Sequence, residues 1–337
     1  MGGLARIHGV LSPVVTPFDA ELRPDRERFV RHCRWLVAQG VGLAVFGTNS
    51  EANSMSVAEK IALLDALIDA GLPPVRMMPG TGCCAFTDSV ELTRHALRHH
   101  CAGVLMLPPF YYKGVSDDGL FRSYAEIIER VGESDLRIYL YHIPSVSQVA
   151  ISLALIERLL QAYPGTIAGI KDSSGDWSNT QAMLERFQPL GFDVFAGSET
   201  FLLATLRGGG AGCITATGNV NPRRIAELAR SWRDPDAAAP VADLLDYRLR
   251  RALLRVPLAG ERRQPGAGRH PVVLGSVGRP RRQPGFRASK PGDADAEQRR
   301  GPRRGRDLGL GDGLPHRPLR RPVGEGRVGG ARDRLHL

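Results

Sequence analysis

The sequence predicts an α/β fold, a closed (β/α)8 TIM barrel, and three observations carry that prediction. Short apolar runs bounded by turn residues alternate with helical patterns eight times within about 235 residues. The runs are apolar throughout rather than alternating, which marks strands buried on both faces and hence a parallel sheet with helical crossovers. No Gly-x-Gly-x-x-Gly follows the first run, which argues against a doubly wound open sheet.

The elements follow in order. Leu11 to Phe18 reads as a first strand with prolines at its edges, and a helix from Asp25 to Gln39 places Phe29, Cys33, Leu36 and Val37 on one face before Gly40 stops it. Val41 to Phe46 is the second strand and runs into Gly47-Thr48-Asn49-Ser50-Glu51. Ser56-Val57-Ala58-Glu59 is a capping box that opens a helix to Ala70. Val75 to Gly80 is read as strand three, with Asp88-Ser89-Val90-Glu91 capping the next helix. Gly103 to Pro108 is strand four, followed by Phe110-Tyr111-Tyr112-Lys113 and a helix carrying Leu120, Tyr124, Ile127 and Ile128. Arg137 to Tyr141 is strand five, ending in His142-Ile143-Pro144, before a helix through Leu155 and Leu159. Strand six contains Lys171, strand seven is Asp193 to Ala196, and strand eight is Gly212 to Ala216. Pro222 opens a last helix as a first-turn proline.

Ile167-Ala168-Gly169-Ile170-Lys171-Asp172 is the stretch that points to chemistry. An ammonium at the end of a buried strand costs several kcal/mol unless it is paired or gives up its proton. A lysine relieved in the second way is an amine nucleophile able to form a Schiff base with a carbonyl. On the run alone, a lysine that snorkels out to pair with Asp172 is an equal alternative. In a barrel, catalytic groups belong at the carboxyl ends of strands, where Lys171, Tyr141, Thr48 and Tyr111 all fall.

Charge divides the chain. Residues 248–337 hold 23 Lys and Arg against 8 Asp and Glu, a balance of +15, while the first 247 residues balance at −5. The barrel is therefore acidic, and the basic character belongs to the last 90 residues, where arginine outnumbers lysine 22 to 1 and 16 Gly and 10 Pro occur. That composition predicts a disordered, low-complexity segment. It is compatible with a nucleic-acid arm; a reading frame that slips near residue 248 is favoured, because Arg, Gly, Pro and Ala share GC-rich codons. Residues 1–234 are assigned to the barrel and 235–247 to the start of a helical C-terminal region. Five cysteines without a CxxC pair fit a reducing compartment, and no signal peptide or spanning segment is found, so a cytoplasmic location is expected, with no membrane partner.

Three segments in register resemble the dihydrodipicolinate synthase / N-acetylneuraminate lyase family between His8 and about Trp232. Gly47-Thr48-Asn49-Ser50-Glu51 is similar to its Gly-Thr-Thr-Gly-Glu signature, Tyr141-His142-Ile143-Pro144 to its Tyr-x-x-Pro element, and Gly169 to Gly175 to its Schiff-base lysine segment. The resemblance implies a metal-independent class I aldolase or lyase that binds pyruvate, or a 2-oxo acid yielding it, as an imine on Lys171, with no separate cofactor. It implies Tyr141 as the central proton-transfer group, Thr48 as the hydroxyl linking it to a second tyrosine from a neighbouring subunit, and Tyr111 as that second tyrosine. A core or surface aromatic is the alternative for Tyr111. Thr48 and Asn49 would hold the substrate carboxylate, backed by a helix N-terminus; Gly197 and Ile214 would line the same site. A homo-oligomer, dimer or tetramer, is implied.

Two departures bear on substrate. The synthases that use aspartate semialdehyde carry an arginine five residues after the central tyrosine, and here Val146 stands at that place. Asn49 and Ser50 replace the second threonine and the glycine of the signature. Both changes favour an aldolase taking a neutral or hydroxylated aldehyde over the synthase itself. A non-catalytic relative is the second alternative, opposed by retention of Lys171, Tyr141 and Thr48. His95, His99 and His100 sit at helical spacing without His-Glu-x-x-His, so a solvated face is expected there rather than a metal site. Gly208 to Gly212 reads as a tight turn into a strand, and Cys83-Cys84 as packing.

Overall fold

The structure, a computed structural model, describes residues 6–238. Of the region 235–247 this includes only the 3-10 turn Pro235–Ala238; the basic segment 248–337 lies outside the described residues.

Seven parallel strands form one sheet: β1 (Gly9–Ser12), β2 (Gly42–Leu43), β3 (Val104–Met106), β4 (Ile138–His142), β5 (Ile167–Asp172), β6 (Asp193–Ala196) and β7 (Gly212–Ile214). Their order is β2-β1-β7-β6-β5-β4-β3. The helices between them are α1 (Arg26–Ala38), α2 (Val57–Asp69), α3 (Phe86–Arg98), α4 (Asp117–Val131), the one-turn α5 (Pro144–Ser147), α6 (Leu153–Ala162), α7 (Trp177–Phe187), α8 (Leu202–Arg207) and α9 (Pro222–Arg230).

The strand expected over Val75 to Gly80 is not a continuous ladder, yet it closes the ring. Leu43 pairs with Met77 and Gly80 with Leu105 as isolated parallel bridges. The Met78 and Gly80 N–H groups donate to the Leu43 and Val45 carbonyls at 2.8 Å, while Ala102 and Leu105 donate back to Met77 and Pro79 at 3.0 and 2.8 Å. Pro79 lacks an N–H, which interrupts the ladder. Gly80 is required there, because a Cβ would lie 2.1 Å from the Phe46 carbonyl oxygen.

Side chains segregate as a barrel demands. Leu11, Ala44, Met78, Leu105, Tyr139, Tyr141, Phe195 and Ile214 fill the inside as one cluster. Val10, Val104, Ile138, Leu140, Ile170 and Val194 join a larger cluster under the helices. The barrel is thus a packed core whose chemistry is confined to its rim. Among the described residues no helix is long and apolar enough to cross a membrane.

Helix signals hold where the side chain is free to cap. Asp25 accepts from the Arg28 N–H at the start of α1. Ser56 and Glu59 form the reciprocal capping box of α2, at 3.2 and 2.8 Å. Ser56→Ala should cost about 1 kcal/mol and lower Tm by roughly 2–4 °C, read by thermal denaturation; no shift would mean the box adds nothing. The cap expected from Asp88 is corrected. Helix α3 begins two residues earlier, behind Ala85, and the Ser89 hydroxyl is used elsewhere, accepting from the Cys83 N–H at 2.9 Å. The solvated face expected at His95 is also corrected: His95 is buried and lies against Asp65 of α2, while His100 is exposed.

Candidate active site

Lys171 and Tyr141 occupy paired positions of neighbouring strands, β5 and β4. Tyr141 points into the barrel by the regular alternation of β4, and Lys171 does so because of one irregularity. Ile138 pairs with Ile167, but Tyr139 pairs with Gly169, so Ala168 is an extra residue on β5. Side chains alternate across a strand, and one inserted residue reverses every later direction. Ile167 and Ile170 both face the helices, on either side of the bulge, and Lys171 therefore turns inward with Tyr141. Gly169 sits under the Tyr139 ring, where a Cβ would lie 2.3 Å from the Asp193 carbonyl oxygen and 2.8 Å from Tyr139 Cδ1.

At the carboxyl end Lys171 is 3% exposed, and its Nζ lies 4.2 Å from the centre of the Tyr141 ring. Phe195, its register partner on β6, belongs to the apolar cluster inside the barrel. The Tyr141 hydroxyl lies 3.3 Å from Thr48 Oγ1. Burial alone would raise the Tyr141 pKa; the charge of Lys171 and the polar contacts with Thr48, Lys171 and Ser173 outweigh it and bring the phenol below its ordinary value. A phenol so placed can give up and regain a proton beside an amine.

Thr48 and Asn49 sit exposed at the mouth of the barrel, between buried Gly47 and Ser50. The Thr16 hydroxyl anchors this loop by donating to the Ser50 carbonyl at 2.8 Å. No α-helix N-terminus stands directly behind Thr48, which corrects that expectation. Two 3-10 turns, Thr48–Ser50 and Ala52–Ser54, come first, because Glu51 between them is left-handed at φ 56° and interrupts the helical path.

Beside the lysine, buried Asp172 organises the rim. Its carboxylate accepts from the Ser174 N–H and hydroxyl, Asn179 Nδ2 and Thr180 Oγ1 at 2.9, 3.1, 3.1 and 2.6 Å. The lysine's sequence neighbour is therefore committed to its own loop rather than to pairing with a snorkelling ammonium. Gly197 packs closely there, since a Cβ would lie 2.2 Å from Ser173 Oγ. Ile214 is fully buried inside the barrel beside Tyr141 and Phe195.

The structure leaves two of the sequence-derived residues facing outward. Tyr111 is 74% exposed and Val146 55% exposed. Lys113 ties their two loops together by donating to the Ser147 carbonyl at 2.6 Å. One group escaped sequence reasoning. Glu199, just beyond β6, is buried and accepts from Thr215 Oγ1 and, at 2.8 Å, from Thr217 Oγ1. An acid in the third position past a strand end, in Gly197-Ser198-Glu199, was the available signal.

Fold and site together define an α/β-barrel lyase of the aldolase kind. The chain belongs to the dihydrodipicolinate synthetase family, which it matches over residues 6–250. A DapA-like lyase of Chloroflexus aurantiacus is 35% identical over 233 residues, covering 68% of this chain and 75% of its own. Among solved structures, dihydrodipicolinate synthase from Agrobacterium tumefaciens superposes with a TM-score of 0.65 at 32% identity, covering 73% of this chain and 86% of its own. YagE of Escherichia coli K12, a prophage protein of the same family solved in complex with pyruvate, gives 0.65 at 28% identity, covering 71% and 80%.

Proposed function

We propose that the protein is a Schiff-base carbon–carbon lyase or aldolase, with pyruvate, or a 2-oxo acid that yields pyruvate, bound as an imine on Lys171. The observation that carries this reading is the paired placement of Lys171 and Tyr141, the lysine 3% exposed and its Nζ 4.2 Å from the tyrosine ring. The pyruvate complex of the YagE relative supports the choice of 2-oxo acid.

In this mechanism the Lys171 amine attacks the 2-oxo carbon to give a carbinolamine. Tyr141 protonates the departing hydroxyl, water leaves, and an iminium remains. Cleavage of the C3–C4 bond sends its electron pair into that iminium, forming an enamine, while the C4 hydroxyl loses its proton and departs as an aldehyde. Protonation at C3 and hydrolysis then return pyruvate and free Lys171. The iminium is itself the electron sink, so the route calls on no metal or organic cofactor. Thr48 and Asn49, at the mouth, are assigned to the substrate carboxylate, with Gly197 and Ile214 bounding the site. Tyr111 is assigned to the same relay from a neighbouring copy in a dimer or tetramer, a role its exposure permits. We place the enzyme in the cytoplasm, where cysteines that are all unbridged would persist.

The synthase reaction, pyruvate with aspartate semialdehyde, is the second reading, favoured by the likeness to the Agrobacterium synthase. Against it, Val146 offers that substrate's carboxylate no cation, and an arginine–carboxylate pair would contribute strongly there. Borohydride reduction with pyruvate should add a three-carbon unit to the peptide holding Lys171. An unchanged mass, or an adduct on another lysine, would overturn the imine. A panel of sugar-derived and aromatic aldehydes beside aspartate semialdehyde then separates the readings. Semialdehyde turnover with kcat/KM near 10⁴ M⁻¹s⁻¹, at the low end of the range usual for natural substrates, would restore the synthase.

A further inference from the structure

Away from the barrel mouth, three side chains on two neighbouring helices converge in a way the lyase chemistry does not use. His95 and His99 are one helical turn apart at the end of α3, and Asp65 faces them from α2. His99 Nε2 donates to Asp65 Oδ1 at 2.8 Å. His95 Nε2 lies at the same 2.8 Å from the same oxygen, but off the line that a hydrogen bond needs, and has no hydrogen-bond partner among the described residues. His95 is 7% exposed, so this is a buried ring nitrogen aimed into the cluster and left unsatisfied, a costly arrangement in a folded protein.

We propose that Asp65, His95 and His99 form a binding site for a divalent transition-metal cation of the zinc class. The donor set is two imidazoles and one carboxylate, which suits zinc, cobalt and nickel better than the hard cations magnesium or calcium. The three donor atoms lie within 4.8 Å of one another. Two bonds of roughly 2.0–2.2 Å span at most about 4.4 Å, so a cation reaches all three donors once the histidine rings close by a few tenths of an ångström and Asp65, whose side chain is 41% exposed, rotates aside. Water completes the coordination from that side.

Arg98 sets the threshold for binding. Its guanidinium donates to His95 Nδ1 at 3.0 Å. An imidazole bound to metal through Nε2 carries its proton on Nδ1 and donates from it, so exposed Arg98 has to swing away. The helices of a (β/α)8 barrel run antiparallel to its strands, so the ends of α2 and α3 lie opposite the carboxyl face that holds Lys171. The cation would therefore clip two outer helices together without touching the reacting groups.

The test uses the full chain, freed of metal by chelation and titrated with zinc chloride by calorimetry, with cobalt(II) absorption as a second readout. One zinc per chain should bind and raise Tm. Asp65→Ala and His99→Ala, whose folding is checked by circular dichroism, should each weaken binding by more than the ~10–100-fold that loss of a supporting partner costs. Arg98→Gln should strengthen it by up to ~10-fold, because an acceptor then replaces a donor at Nδ1. Absence of binding, or binding unchanged in both Asp65→Ala and His99→Ala, would overturn the site. Weaker binding in Arg98→Gln would remove His95 Nε2 as a ligand.

Discussion

Lys171→Ala should leave no measurable aldol turnover, and Tyr141→Phe should lower kcat by about 10² to 10⁴, the range for a lost proton-transfer group. The two variants fail differently. Lys171→Ala removes the atom proposed to bond to substrate, so no adduct should be trapped at any pyruvate concentration. Tyr141→Phe keeps the amine, so the trapped adduct should still form, only more slowly. The pH profile carries a further signature. Folding lowers the Tyr141 pKa below its ordinary 10.0, so the phenol loses its proton earlier than a free tyrosine as pH rises. The alkaline limb of kcat/KM, which reports the free enzyme, should therefore begin below pH 10 and disappear in Tyr141→Phe. For stability the sign is the same: ionised Tyr141 stabilises the fold fully above the unfolded value and loses that effect as pH falls through the folded one. Full activity in Tyr141→Phe would dismiss the tyrosine as the proton carrier.

Gly169→Ala should be among the most damaging single methyl additions in the barrel. The new Cβ would meet the Asp193 carbonyl oxygen at 2.3 Å, and backbone cannot rotate away as a flexible side chain can. Forced overpacking of this kind costs about 3 kcal/mol, which for a domain this size lowers Tm by roughly 6–12 °C. Activity should fall further than stability predicts, because relief of the clash moves β5 two residues before Lys171. Thermal melts and trapping yield at a temperature where the variant is folded would separate the two effects. Wild-type Tm together with wild-type trapping would show that the strand has room to spare.

How much of this was legible in the sequence depends on the range of the interaction. Apolar runs, a stop signal such as Gly40 and a start signal such as Pro222 act within a few residues, and the alternation of strand and helix followed from them. The closure through Met77 to Gly80 was harder, because Pro79 breaks the hydrogen-bond pattern while the backbone still pairs on both sides. The register shift at Ala168 left no trace in composition, since Ile-Ala-Gly-Ile is apolar on either face. His95 looked solvated because its partner Asp65 lies on another helix, 30 residues earlier. Lys171, Tyr141 and Thr48 were legible as strand-end residues, whereas the contact of Thr48 with Tyr141 spans 93 residues and is a property of the closed ring alone.

The extra residue at Ala168 has a consequence for how such a gene can change. Replacing Ile167 or Ile170 by another β-branched residue alters volume slightly and leaves the ladder intact. Removing the Ala168 codon restores an uninterrupted ladder and leaves Lys171 opposite Tyr141, still facing inward. The inward direction of Lys171 is thus protected against substitution around it and against loss of the extra residue, whereas one inserted residue carried into the ladder would turn it outward. Its inheritance depends on a count as much as on an identity.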